Sequence, residues 1–378
     1  MKLKEYEEEL RKCINCGNCR EMIYEETGTY KICPSREAYG FESYTARGRV
    51  NIARAILAGS LKYSPEVSKR VFSCLLCGNC EAHCTLGVDI TGIIKAMRED
   101  LIAEGFGLPK GLNKVISNVK EKHNVFGKSA EEGIRWAESL NLPERGDVLY
   151  FAGCYASYKF TETAKATINI LRKGGIEPAY LGKDEQCCGI VALYGGLEDV
   201  GRQLVEHNVR AIEASGAKQV VTSCAGCYHV LKTEYPKIVG ELPFKVVHIS
   251  ELIEELIKKG KLELKKAINK KVTYHDPCHL GRFEKVYDPP REIIKNIPGI
   301  TFKEMRRSKE NSWCCGGGTT VYSSFLDLTK KVVEERMKDL PEDAEMIITA
   351  CPLCKEVLSS STNKKVYDLP VVVSEAMR

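Results

Sequence analysis

The feature that most constrains this chain is a cysteine-rich unit that occurs twice. The second copy has one cysteine, an adjacent pair and a Cys-x-x-Cys motif, with 35 residues in each gap: Cys278, Cys314, Cys315, Cys351 and Cys354. The first copy has the same order with gaps of 32 and 35 residues: Cys154, Cys187, Cys188, Cys224 and Cys227. Corresponding cysteines are offset by 124, 127 and 127 positions, so the two halves are an internal duplication.

Short apolar runs alternate with helical patterns in both halves. The predicted strands are residues 148–151, 179–181 and 219–222 in the first half, and 271–274, 300–304 and 346–349 in the second. Such alternation favours an α/β layer with largely parallel strands. Ligands of open α/β sheets bind beyond the carboxyl ends of the strands, and each cysteine position follows a strand. We therefore expect the cysteines of each half to converge at one sheet edge, and the halves to pack as a pseudo-two-fold pair.

The first 120 or so residues contain eight more cysteines in two runs: Cys13, Cys16, Cys19 and Cys33, then Cys74, Cys77, Cys80 and Cys84. These spacings are typical of ferredoxins with two [4Fe–4S] cubanes, in which the fourth cysteine of each run binds the other cluster. The crossed assignment joins Cys84 to the first three cysteines and Cys33 to the second three. Zinc ribbons and scattered buried thiols are the alternatives, but zinc favours two pairs of ligands rather than runs of three.

The cysteine runs are connected by helical patterns. Apolar residues recur at helical spacing within residues 44–61 and again from Ile93 to Leu101, which predicts a helical ferredoxin fold rather than a β-rich one. Residues 121–146 are polar and interrupted by glycine and proline, as in a linker, and Trp136 there should pack on a core.

The predicted fold class is α+α/β, an all-helical ferredoxin domain followed by two duplicated α/β domains. The predicted boundaries are 1–120 for the ferredoxin-like domain, 121–146 for the linker, and 147–268 and 269–378 for the two halves.

The adjacent cysteines of each half suit a different kind of cluster. Two consecutive side chains cannot easily reach separate corners of a compact cubane, whereas an open or distorted cluster accepts such ligands. Glycines at 189 and at 316–318 would let the backbone approach the cluster and offer N–H groups to its sulfurs. The glycine run is not a phosphate-binding loop, because no Lys-Ser/Thr follows it.

Composition restricts the cellular compartment and the class of protein. The eight N-terminal cysteines and five in each half account for all 18, and such thiols in a chain without a secretory segment favour metal or redox chemistry over disulfides. The sequence has no apolar run of membrane-spanning length, and its first twelve residues are highly charged. The net charge of +5 does not suggest nucleic-acid binding. We expect a cytoplasmic protein that reaches a membrane only through a partner subunit.

Several polar residues near the cysteines have two interpretations. His275, Asp276 and His279 flank Cys278 and could relay protons or orient a substrate, as could His229 in the first half. The simpler interpretation is a turn at Asp276, with the histidines bonded to backbone. The arginines of the segment 46–49 are expected to be solvated or at a partner contact rather than at an anion site.

On these residues the chain resembles the cysteine-rich "CCG" domain family, through the two units and their flanks GCYASY and YHDPCHLGR. The fusion to a two-cubane ferredoxin region resembles the catalytic D-subunit family of heterodisulfide reductases over essentially the whole chain. Similar iron–sulfur subunits occur in thiol:fumarate reductase, glycolate oxidase, lactate utilisation and anaerobic glycerol-3-phosphate dehydrogenase.

The resemblance implies a function for each group of cysteines. Each complete unit of five cysteines is expected to bind a non-cubane [4Fe–4S] cluster, and the two clusters to face one another across a disulfide substrate such as the coenzyme M–coenzyme B heterodisulfide. The two cubanes would relay electrons from or to a partner, which could be a flavoprotein, a membrane cytochrome b or a hydrogenase-linked protein. Both units are intact, which favours catalysis.

Two alternatives remain open. The first is an electron-transfer subunit of a flavin-dependent 2-hydroxyacid (glycolate or lactate) or glycerol-3-phosphate dehydrogenase. The second is a zinc or scaffold protein without redox function.

Overall fold

The protein, studied as a computed structural model, is described over residues 1–24 and 28–377. Within the described N-terminal region a 3₁₀ helix at Lys2–Tyr6 is followed by helices and one hairpin. The elements are α1 (Glu7–Lys12), β1 (Glu21–Tyr24), β2 (Gly28–Lys31), α2 (Pro34–Tyr39), α3 (Ala46–Leu57), α4 (Pro65–Phe72), α5 (Asn79–Ala82), α6 (Ile90–Ala103) and α7 (Lys110–Lys122).

Local signals explain where the main helices begin. Thr45 accepts a hydrogen bond from the third residue of α3, Ser64 caps α4 ahead of Pro65, and Asp89 caps α6. The apolar faces of α3 and α6 are buried in a common core, which fixes the loops that carry the cysteines.

The expectation of a helical N-terminal region is confirmed, with one addition. Strands β1 and β2 pair antiparallel between Cys19 and Cys33, so this region is not all-helical. Each strand has only four residues, too few for alternation to distinguish it from a loop in the sequence.

The segment between the ferredoxin-like region and the first half covers the edge of the core. Helix α7 extends past residue 120, and α8 (Ala130–Ile134) and a 3₁₀ turn at Glu138–Leu140 follow. The predicted packing of Trp136 is confirmed: it is buried against the rings of Tyr150 and Tyr180.

The first half is an α/β layer with a parallel three-stranded sheet, ordered β3-β4-β5. Its elements are β3 (Val148–Phe151), α9 (Gly153–Tyr158), α10 (Thr161–Lys173), α11 (Ile190–Gly195), α12 (Glu198–Ser215), β4 (Gln219–Thr222), α13 (Ala225–His229), α14 (Tyr235–Val239), β5 (Lys245–His248) and α15 (Ile249–Lys258). The predicted strand 179–181 is wrong, because the structure has only one parallel bridge there, from Leu149 to Ala179. Among these residues only Ala179 exchanges hydrogen bonds with β3, and the N–H of Tyr180 donates instead to the carbonyl of Pro143 (2.9 Å).

The second half repeats this topology with a parallel four-stranded sheet, ordered β7-β6-β8-β9. Its elements are β6 (Lys270–His275), α16 (Asp288–Lys295), β7 (Ile300–Phe302), α17 (Leu326–Met337), β8 (Met346–Thr349), α18 (Pro352–Ser359), β9 (Lys365–Asp368) and α19 (Leu369–Ala376). The bridge at Ala179 lies beside β3 in the first sheet, as β7 lies beside β6 in the second. The internal duplication is therefore also visible in the strand order.

The two halves and the N-terminal region share packing surfaces. One hydrophobic core contains residues of both sheets, and α10 of the first half packs against α19 of the second. The buried Arg98 of α6 donates to the carbonyl of Tyr194 (2.6 Å), to Thr320 Oγ1 (3.0 Å) and to the carbonyl of Cys74 (2.7 Å). These contacts tie the N-terminal region to both halves.

In the described part of the chain, the helices are all too short or too polar to cross a membrane.

Candidate metal centres

A cavity of about 470 Å³ lies between the two halves and is lined by cysteines of both. We call the five cysteines of each half the first set and the second set. The lining includes the whole first set and four members of the second: Cys154, Cys187, Cys188, Cys224, Cys227, Cys278, Cys315, Cys351 and Cys354. The remaining cysteine, Cys314, lies beside them, and its neighbours Cys278 and Cys315 raise its pKa well above the usual value. The structure therefore brings the ten cysteines together around one space.

The ends of the parallel strands explain this convergence. Cys154 and Cys278 come shortly after β3 and β6, the corresponding strands of the two sheets. Cys224 and Cys351 follow β4 and β8 and are the N-terminal caps of α13 and α18. A helix N-terminus favours the thiolate form of cysteine, which is the form that binds metal.

The thiols are close enough to share hydrogen bonds, within each set and between the sets. The Cys314 thiol holds the pKa of Cys278 well below its usual value, and that of Cys315 as well. Across the halves, the Cys224 thiol has the same effect on the pKa of Cys351. Thiols packed this closely favour a bound cation, because metal binding replaces the shared hydrogens.

The backbone around the two sets leaves space for cysteine sulfurs and directs N–H groups at them. Gly153 has a φ of +71°, and a Cβ at this position would lie 2.8 Å from Cys227 Sγ. The amides of Gly316 and Gly317 each point at a cysteine sulfur, at 3.4 Å from Cys314 Sγ and Cys315 Sγ. Close thiols with backbone N–H donors and no room for a side chain fit an iron–sulfur cluster.

The eight N-terminal cysteines line two smaller cavities. The outer site is lined by Cys13, Cys16, Cys19 and Cys84. The inner site is lined by Cys33, Cys74, Cys77 and Cys80. Cys80 also borders the outer site, so the two are adjacent. Cys84 thus lies with the first three cysteines, and Cys33 with the second three.

Burial distinguishes the two sites. Burial raises the pKa of Cys33 in the inner site to about 12, so this thiol needs a bound cation to lose its proton near neutral pH. Cys16 of the outer site is exposed, and beside it Ile14 and Leu86 are 68% and 44% exposed. The outer site therefore lies at the molecular surface.

The inner site abuts the second set. The Cys314 thiol lies close enough to Cys77 to lower the pKa of Cys77 to about 7. The buried Arg282 donates through Nε to the carbonyl of Cys77 (2.7 Å) and through its guanidinium to the carbonyl of Ser312. The cysteine sites therefore form a row from the surface to the central cavity, entering it on the side of the second half.

The polar residues near the cysteines have distinct environments. Asp276 forms a bidentate ion pair with Arg291, at 2.7 and 2.8 Å, which supports the structural interpretation of this residue. His279 lines the cavity, with Nδ1 3.9 Å from Cys278 Sγ. His229 is bonded to Glu284 (2.6 Å), and burial lowers its pKa.

The expectation for the arginines at 46–49 is wrong for one of them. Arg49 is buried and donates to the carbonyls of Arg70 (2.8 Å) and Tyr44 beside the inner site. Arg282 and Arg336 were not predicted as site residues, because their partners are far away along the chain.

Two family descriptions match this chain. Residues 148–232 and 272–359 match the family described as "Cysteine-rich domain", named CCG. Residues 9–88 match the family described as "4Fe-4S dicluster domain". The matched segments lie within the two halves and the ferredoxin-like region.

Three relatives align with most of this chain. The chain is 36% identical over 389 residues to the D-subunit of dihydromethanophenazine:CoB–CoM heterodisulfide reductase of Methanosarcina acetivorans, covering 98% of this chain and 94% of that protein. It is 31% identical to the B-subunit of fumarate reductase (CoM/CoB) of Methanothermobacter marburgensis, over 79% of this chain and 59% of that protein. It is also 31% identical to EtfAB:quinone oxidoreductase of Syntrophomonas wolfei, over 84% and 48%.

Among solved structures, a hypothetical protein from Helicobacter pylori has a similar fold, with a TM-score of 0.58 and 10% identity over all of this chain and 76% of that one. This likeness concerns the fold alone. By its relatives and its family matches, the chain belongs to the heterodisulfide reductase D-subunit family of iron–sulfur oxidoreductase proteins.

Proposed function

We propose that this chain reduces a disulfide in the central cavity. The observation that carries the proposal is that nine of the ten cysteines in the two sets line one cavity from opposite halves. A subunit that only passes electrons needs its metal sites in a row, but it does not need two of them to face a shared space.

In this proposal each set of five cysteines holds a non-cubane [4Fe–4S] cluster, and the outer and inner sites hold one cubane each. When bound, the clusters would supply single electrons and iron sites that stabilise thiolate. Reduction of R–S–S–R′ takes two electrons and two protons, breaks the S–S bond and releases R–SH and R′–SH.

The protein's own residues shape the cavity for such a substrate. Its walls include apolar side chains that exclude water, among them Val125, Phe126 and Leu353, and the hydroxyl-bearing Tyr155 and Tyr322. The coenzyme M–coenzyme B heterodisulfide is the first substrate to test. Since the described residues that line the cavity include neither lysine nor arginine, disulfides with less charge are the second.

The row of cysteine sites indicates where electrons enter. The exposed Cys16 of the outer site, with Ile14 and Leu86 beside it, marks the surface at which an electron partner would dock. A flavoprotein, a membrane cytochrome b or a hydrogenase-linked protein would fill this role.

The test begins with iron and sulfide analysis of anaerobically purified protein, in which four four-iron clusters correspond to about sixteen irons. The loaded protein is then assayed for disulfide reduction with a reduced viologen as donor. We expect turnover that is lost in Cys315→Ser, a cavity ligand, and retained in larger part in Cys16→Ser, because a viologen can bypass the outer site. Full iron loading with no turnover on charged or uncharged disulfides would favour the electron-transfer alternative.

A further inference from the structure

His275, the buried last residue of β6, has one bonded and one unbonded ring nitrogen. Its Nδ1 accepts a hydrogen bond from Arg336 Nε at 3.1 Å. Its Nε2 is buried and has no hydrogen-bond partner among the residues that the structure describes. One ring nitrogen and the sulfurs of Cys315 and Cys354 lie within 4.8 Å of one another. His275 thus places its imidazole beside two cysteines of the second set, and Nε2 is the ring nitrogen that has no partner among the described residues.

Arg336 determines which ring nitrogen carries hydrogen. A guanidinium has only donors, so Nδ1 must act as the acceptor and the hydrogen of the ring is on Nε2. Arg336 cannot easily turn away, because it is buried and donates to Asp339 (2.9 Å), to the carbonyl of Arg307 (2.7 Å) and to Ser312 Oγ (3.2 Å). Since Nε2 carries hydrogen, it is a hydrogen-bond donor and not a metal ligand.

The first half has no equivalent donor at this position. The offset of 124 residues that relates Cys154 to Cys278 also relates Phe151 to His275. Phe151 is the last residue of β3, as His275 is of β6, and it pairs with Thr222 as His275 pairs with Thr349. The duplicated sites thus differ at this position, because the side chain of Phe151 has no N–H group and that of His275 has one.

We propose that His275 is a positioning residue that donates its Nε2–H to sulfur of the iron–sulfur cluster held by the second set, and so raises the reduction potential of that site above that of the first set. This rests on the proposed function, because it requires a cluster in each set. Reduction adds negative charge to the cluster, and an N–H donor stabilises that charge. The second set would therefore have the higher reduction potential. This set lies next to Cys77, on the side from which electrons would enter.

The test compares His275→Phe, which reproduces the first half, with His275→Gln, which keeps an N–H donor. Anaerobically loaded protein is titrated with redox mediators and followed by electron paramagnetic resonance, alongside iron analysis. In His275→Phe we expect about a tenfold shift of one non-cubane reduction equilibrium toward the oxidised form, or about 59 mV for a one-electron couple. His275→Gln should retain most of the wild-type potential, and the control Phe151→Leu should leave the shifted signal unchanged.

A second measurement does not depend on how the His275 variants fold. It uses protein with ¹⁵N-labelled histidine and the substitution His279→Gln, which removes the histidine next to Cys278. Pulsed resonance methods should still detect a weak nitrogen coupling on one non-cubane signal. No coupling on either signal, or a fully loaded His275→Phe with wild-type potentials, would overturn the inference. Wild-type protein that lacks non-cubane signals would instead overturn the proposed function.

Discussion

Replacing Gly153 by alanine tests whether the first set is a tight metal site. The residue has a φ of +71°, and an added Cβ would lie 2.8 Å from Cys227 Sγ. Gly175 is the matched control, since it has a similar φ of +79° and no described atom lies within 4 Å of its added Cβ. The two variants share the backbone cost and differ only in the contact with sulfur.

The two costs can be estimated separately. A left-handed backbone costs an alanine about 1–2 kcal/mol, and this lowers the free energy of unfolding in both variants. Ordinary van der Waals contact between heavy atoms is about 3.5–4.0 Å, so the Cβ at position 153 forces Cys227 to move by roughly 1 Å. A displaced ligand should release the cluster of the first set, about four of sixteen irons.

Iron analysis, resonance spectra and denaturant unfolding measure these effects. Gly175→Ala should lose about 1–2 kcal/mol of stability and keep its iron. Gly153→Ala should lose more stability than this, because a cluster that binds the folded state is released, and should also lose one non-cubane signal. If Gly153→Ala keeps all its iron and an unchanged spectrum, Cys227 does not bind metal in the position seen here, and the reasoning is refuted.

Other contacts lead to three further predictions. Arg98→Met removes the donor of three acceptors and should lower the free energy of unfolding by about 3 kcal/mol or more in denaturant titrations. The control Arg11→Met, at an exposed ion pair, should change this free energy by less than about 0.5 kcal/mol. Similar losses in the two variants would contradict the role of Arg98. Cys84→Ser should abolish the cubane signal of the outer site and Cys33→Ser that of the inner site, and the reverse pattern would disprove the crossed assignment. An uncharged disulfide should have a lower KM than an anionic one of similar size, because the described lining includes neither lysine nor arginine; a lower KM for the anion would show that cations outside the cavity direct binding.

Much of the fold could be predicted from local patterns. The strands predicted at 148–151, 219–222 and 346–349 agree with β3, β4 and β8, because a short apolar run bounded by turn residues is a local signal. The hairpin after Cys19 was missed, since its strands are short. The predicted strand at 179–181 is reduced to a bridge, because β3 is its one neighbouring strand and only Ala179 pairs with it.

The duplication and the family can be derived from the amino-acid order alone, because the spacing of cysteines along a chain does not depend on packing. Which groups meet across the halves depends on the folded arrangement. Cys77 contacts Cys314, and Arg336 orients His275 from 61 positions away, through the packing of separate elements. Such contacts have no pattern in the sequence, because hydrogen bonding acts between neighbours in space.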